Sequence, residues 1–164
     1  MRHITRDNLY EKLYKNTTIC IYTTMKNQHE TQLDKSTLLR AFNNLFFDFI
    51  NDIIQVFPEN TDLVYARKSF ETIKKMNPTM IAKSWYTFVY HPYKDVIERG
   101  DISFFFDKDY KSDLTTVKNA NEIMKMIDKI REPIKNMGES NMAHTTKYIQ
   151  NLNKLSFHYA GNDA

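Results

Sequence analysis

Five histidines, His3, His29, His91, His144 and His158, are the first side chains to examine for a base or a metal ligand. Two rings share one helix face only at spacings of three or four, as in an HExxH zinc motif. No pair among the five has that spacing, and HExxH is absent. His91 stands apart because Pro92 and Tyr93 follow it directly. Four aspartates gather in one stretch, Asp101, Asp107, Asp109 and Asp113. Asp107-Lys108-Asp109 opens like a calcium loop, but the sharp-turn Gly and the terminal Glu are missing. Carboxylates that share acid–base work need an apolar cleft to raise one of them, and no such cleft can be read from this stretch. Ser36, Ser69, Ser84, Ser103, Ser112, Ser140 and Ser156 lie outside any GxSxG context, and neither a Walker loop nor GxGxxG occurs. The sequence therefore predicts a non-enzymatic protein with no catalytic residue, no cofactor and no metal.

Two scarcities narrow the classes further. Cys20 is the only cysteine, which excludes an internal disulfide framework and a cysteine-built zinc site and fits a reducing compartment. Three glycines in 164 residues leave little for tight hairpins or phosphate-cradling loops, which need positive φ or a close backbone approach. Helices joined by short polar loops are expected instead, and nucleotide-binding folds are disfavoured. The start, MRHITRDNLYEKLYKN, lacks an apolar signal-peptide core. No window is apolar over the roughly 18 residues that a span needs. No membrane span is expected.

Aromatic side chains are abundant, at 13% of the chain, with 11 Phe and 10 Tyr. Together with 41% hydrophobic residues they can fill a core, so most of the chain should fold. Net charge is +3, from 23 Lys and Arg against 20 Asp and Glu, and it is dispersed. Lys83, Trp85, Tyr86, Tyr90, His91, Tyr93 and Lys94 mix cations with rings, a combination that can stack bases and hold phosphates. Tyr, Trp, Phe and Arg are the residue types enriched in hot spots at protein interfaces. The aromatic mass exceeds what one small core requires, so protein contact is the leading expectation and nucleic acid the alternative.

The elements that must position these residues follow from periodicity. Residues 5–15 suit a short helix, and Thr17–Thr24 (TTICIYTT) is β-branched and alternating, a short strand without a clear partner. From Ser36, residues Leu38, Leu39, Phe42, Leu45, Phe46, Phe49, Ile50, Ile53 and Phe57 recur at three and four, a long core helix stopped by Pro58. A second helix spans about Thr61 to Met76, capped by Asn60 or Thr61. Asn77-Pro78 ends it and starts the next, Pro being favoured at a first helical position, and the third helix, Thr79 to Tyr90, faces Ile81, Trp85, Phe88 and Val89 inward. Pro92 breaks or kinks it, and Val96 and Ile97 continue to a C-cap at Gly100. Phe104 to Phe106 suits a short strand or one packed turn. A fourth long helix opens at Thr115 or Thr116, with Val117, Ala120, Ile123, Met124, Ile127, Ile130, Ile134 and Met137 on its apolar face. Pro133 should kink it, and Gly138 closes it. A last helix covers about Asn141 to Phe157. The fold class is mostly α, a single-domain bundle of about five to seven helices. Residues 1–35 form an N-terminal arm, 36–160 the helical domain, and 161–164 a frayed tail.

The stretch from Asn77 to Tyr110 carries a pattern of its own. Its marks are Asn77-Pro78, Trp85, His91-Pro92-Tyr93, Ile97, Gly100-Asp101, Phe105-Phe106 and Asp107-Lys108-Asp109-Tyr110. It resembles small uncharacterised proteins of nucleocytoplasmic large DNA viruses, the mimivirus-like and phycodnavirus-like group. That resemblance implies a viral helical protein, a minor capsid or other virion structural component or an assembly factor. Its partners would then be other viral structural proteins or copies of itself, in the virion or the host cytoplasm. It assigns no activity and no catalytic residue.

Helix grammar accounts for Pro78, Pro92, Gly100 and Trp85. What folding leaves over is Tyr86, Tyr90, His91, Tyr93 and Lys94 around Pro92, with the acidic edge Asp101, Asp107, Asp109 and Tyr110. These residues form the candidate interaction surface.

Overall fold

A computed structural model describes residues 34–107 and 120–161, apart from the side chains of 120–124. The expected strand at Thr17–Thr24 and the rest of the arm before Asp34 lie outside the described residues. So do the caps at Thr115 and Thr116, the acid at Asp109, and Tyr110. Every described element is helical. They are α1 (Lys35–Val56), α2 (Thr61–Met76), α3 (Met80–Trp85), a π-helical turn (Tyr86–Tyr90), α4 (His91–Glu98), α5 (Phe104–Asp107), α6 (Ala120–Lys135) and α7 (Glu139–Ala160). The mostly α bundle expected from periodicity is the fold observed.

The centre is α1 packed on α7. The apolar face of α1 delivers Leu38, Phe42, Leu45, Phe46, Phe49, Ile50 and Ile53 to the core, all below 9% exposed. α7 answers with Ile149, Leu152, Leu155 and Tyr159. The two helices run antiparallel. Asp52, near the end of α1, meets Tyr148, and Phe42, one turn or more earlier, meets Trp85, which bonds Asn153 further along α7. Such burial supplies about 1.5–3 kcal/mol per large apolar side chain before entropy is counted.

The short loops obey local chemistry. Asn60 caps α2, its Oδ1 accepting from the backbone N–H groups of Asp62 and Leu63. Lys74 and Lys75 in the last turn of α2 complement its C-terminal dipole. Pro78 lies one step earlier than expected. It sits in the turn, Thr79 is the N-cap, and Met80 is the first helical residue. Its carbonyl accepts a 3.0 Å bond from the buried Asn43 Nδ2, which ties the turn to α1.

Pro92 does not break the third helix. A proline inside an α-helix has no N–H for the carbonyl four residues back, and its ring presses on that carbonyl. Here the turn before it widens to i→i+5 bonding, with the His91 N–H donating to Tyr86 O. The chain then continues helically to Glu98. Gly100 does end it, at φ +83. Its N–H bonds Ile97 O at 2.9 Å, and the Asp101 N–H bonds Val96 O at 2.9 Å, the paired bonds of a Schellman cap. Gln150 of α7 adds a donor to Ile97 O at 2.9 Å, so α4 is clamped to α7 at its end.

α6 turns Met126, Ile130 and Ile134 inward, with Met137 in the following loop. Met126 is buried where periodicity placed Ile127 on the inner face; Ile127 is half-buried. Pro133 lies inside the last turn of α6. Phe104–Asp107 is a single helical turn, the packed-turn alternative for that stretch. No helix among the described residues is long and apolar enough to cross a membrane.

Candidate functional site: an aromatic terrace on the π-helical turn

The π-helical turn determines what its side chains can touch. At about 100° per residue, positions five apart on an α-helix lie about 140° apart. The wider turn brings them to one side. Tyr86 and His91 consequently meet edge to face, with centroids 4.6 Å apart. Tyr86 and Tyr90 stack at 5.2 Å and 17°. From α7, Phe157 stacks on Tyr90 at 5.2 Å and 24°, and His158 lies edge-on to Phe157 at 5.5 Å. Five rings from two helices thus form one continuous terrace.

Its depth below the surface is held by Trp85, the residue immediately before the π turn. The indole packs edge-on to Phe42 and Phe46, at 6.1 and 6.4 Å, and its Nε1–H donates to Asn153 Oδ1 at 2.8 Å. Asn153 is 5% exposed, and an apolar residue there would leave the indole N–H without that acceptor. Asn153 stands one turn before Phe157 on α7, so the same bond sets the register of both terrace helices.

The terrace faces solvent in part. Phe157 is 38% exposed, His91 is exposed, and Tyr86 and Tyr90 are half-buried. Phe157 and His158 are the members outside the interaction surface expected from sequence. Phe157 lies between Ser156 and His158 near the end of α7, and the crossing of α7 over the π turn is what stacks it on Tyr90.

The expected surface divides in the structure. Tyr86, Tyr90 and His91 come together. Tyr93 turns the other way and stacks on Phe104 at 4.1 Å and 11°, pinning α5 to α4. Lys94 is exposed one turn beyond Tyr90. Asp101 serves the backbone: its Oδ1 accepts from the Ser103 N–H at 2.9 Å, and these hydrogen bonds from Ser103 hold its carboxyl below the ordinary value. Asp107 is exposed at the end of α5. Of the acidic edge, then, Asp101 forms a turn and Asp107 ends α5, while Asp109 and Tyr110 lie outside the described residues.

A second cluster lies across the α1–α7 interface. The Tyr148 hydroxyl donates to Asp52 Oδ2, and the Tyr148 ring packs on Phe49 at 5.3 Å. Burial pushes the Asp52 carboxyl above its ordinary value; the Tyr148 bond and His144 oppose this, and Asp48 adds to it. Burial also raises Asp48. A raised native carboxylate binds its proton more tightly than the unfolded chain does. Its stabilising contribution is complete below the ordinary carboxylate range and is lost as pH rises through the raised value. Urea unfolding of the wild type should therefore show stability rising as pH falls from neutral toward that range. Asp52→Asn keeps an oxygen for Tyr148 and removes the charge, so it should flatten this rise without lowering stability at pH 7. An unchanged slope in the variant would show that Asp52 is not its source.

An open groove of about 400 Å³ between α1 and α2 is lined by Asn44, Phe47, Asp48, Arg67, Glu71 and Lys74. Its two cations are answered locally. Arg67 pairs with Glu71 at 3.2 Å, and Lys74 lies 5.2 Å over the Phe47 ring. Among the described residues no three His, Cys, Asp or Glu side chains converge to hold a metal. No protein family, no curated protein and no solved structure matches this chain.

Proposed function

We propose that this chain is a non-enzymatic helical protein that acts through protein–protein contacts, with the terrace of Tyr86, Tyr90, His91, Phe157 and His158 as its recognition surface. The observation that carries the reading is a large aromatic, Phe157, left 38% exposed in a continuous stack rather than alone. Aromatic anchors on rigid elements are what interface hot spots are made of. π-Helical turns, which cost regular hydrogen bonding, recur at functional sites. The terrace also has a fixed base, because Trp85 and Asn153 lock its two helices together.

Placement in a virion, as a minor capsid or other structural component, belongs to the same proposal. It is carried by the resemblance of residues 77–110 alone. Mass spectrometry of purified particles tests it, and absence of the chain from them removes it.

The alternative is nucleic-acid binding in infected cells, favoured by Lys83, Lys94 and Lys154 standing within a turn of the rings. A photo-crosslinking residue placed at Phe157, and in a second protein at the exposed Tyr65, separates these readings in cells. Protein adducts concentrated at position 157 are expected. Adducts to nucleic acid at 157, or protein adducts equal at both positions, would contradict the leading reading.

A further inference from the structure

The terrace carries a one-sided charge. Within four residues of its rings along either helix, Lys83, Lys94 and Lys154 are exposed cations, while Asp95 is the one carboxylate among the described residues. On the α7 side the asymmetry is complete: after Glu139 at its start, the helix has no acid through Ala160. On two other exposed surfaces cations pair with acids within the protein. In the α1–α2 groove Arg67 pairs with Glu71, and on the α2–α6 face Lys129 pairs with Asp62 at 2.9 Å while lying 4.6 Å over the Tyr65 ring.

We propose that the terrace docks an acidic segment of a partner protein, one that presents Asp and Glu beside apolar side chains. This rests on reading the terrace as a protein-contact surface and names the partner's chemistry. The apolar side chains lie against Tyr90 and Phe157, where burial supplies the affinity. The partner's carboxylates face Lys83, Lys94 and Lys154 at the rim. Rim charges of this kind speed encounter and reject like-charged competitors more than they add affinity, and salt screens them. A second copy of this chain fits poorly, because two terraces brought face to face would oppose their lysines.

Three fluorescein-labelled probes test the proposal against the full chain by anisotropy. One is an amphipathic peptide with Glu and Asp on one face and Leu and Phe on the other. The second replaces each Glu and Asp by Gln and Asn. The third is oligothymidylate. The acidic peptide should bind about tenfold or more tighter than its neutral counterpart at low salt, with the gap closing near physiological salt. Lys154→Glu should cut the preference for the acidic peptide about tenfold, and Lys154→Gln by less. Circular dichroism melts confirm that these exposed substitutions leave the fold intact. Equal binding of the two peptides would overturn the acidic-partner inference and leave the protein-contact reading standing. Tighter binding of oligothymidylate would overturn both. Binding of no probe would overturn the inference, while protein crosslinks at position 157 would still uphold the reading beneath it.

Discussion

Phe42→Ala costs the protein about 3–5 kcal/mol of folding stability. Phe42 is fully buried on α1, stacked with Phe46 at 6.2 Å and edge-on to Trp85 at 6.1 Å. With Phe46, its ring is the contact through which the central helix meets the indole that sets the third helix in place. Truncation removes the transfer free energy of the ring and leaves a cavity that α1, α3 and α7 cannot close without moving backbone. The loss is a large share of the 5–15 kcal/mol typical of a whole domain. Phe47, next to Phe46 but half-buried under Lys74, provides the control. Phe47→Ala should cost about 1 kcal/mol, the centre of the range for point substitutions in general. Urea unfolding with an unchanged m-value measures both. A cost for Phe42→Ala no larger than that for Phe47→Ala would contradict the core described here.

The core was readable because it repeats. Leu38, Phe42, Leu45, Phe49 and Ile53 keep a spacing of three or four that only one helix face can satisfy, and Pro58 and Asn60 mark the break that follows. Gly100 was readable because the positive φ of a Schellman cap is costly for any residue with a Cβ. Of the two outcomes expected at Pro92, a break or a kink, the break does not occur, for a physical reason. Residue preferences report that an α-helix loses a bond and gains a clash there, but a preceding i→i+5 turn can absorb both, and no local composition announces that turn. The same turn moved His91 beside Tyr86 and left Tyr93 to pack on Phe104, so a surface read as one patch became two. Phe157 and the Asp52–Tyr148 pair were invisible for another reason. Their partners lie 67 and 96 residues away in sequence for the pairs Phe157–Tyr90 and Tyr148–Asp52, and only the crossing of α7 over α1 and the π turn creates them. Buried Thr145, Asn153 and Ser156 were missed likewise. Each has a hydrogen-bonding partner that makes its burial tolerable: Met137 Sδ accepts from Thr145, Asn153 Oδ1 accepts from Trp85, and the Asn153 carbonyl accepts from Ser156.

The second large effect is on recognition. Tyr90 and Phe157 stack on each other from different helices, so truncating one also weakens the placement of the other. Hot-spot aromatics of this kind cost about 2–4 kcal/mol of binding when cut to alanine, and coupled neighbours need not add. The double variant Tyr90→Ala/Phe157→Ala should therefore lose about 100-fold or more in partner affinity. Its folding should suffer far less, because Trp85, Phe42 and Asn153 beneath the terrace are untouched.

The most direct test of the account compares wild type with this double variant in quantitative recovery of co-purifying proteins from the native host, with thermal melts run in parallel. Recovery of the specific partner should fall to background while the cooperative melt is retained. Undiminished recovery by a folded double variant would contradict the assignment of the terrace as the recognition surface.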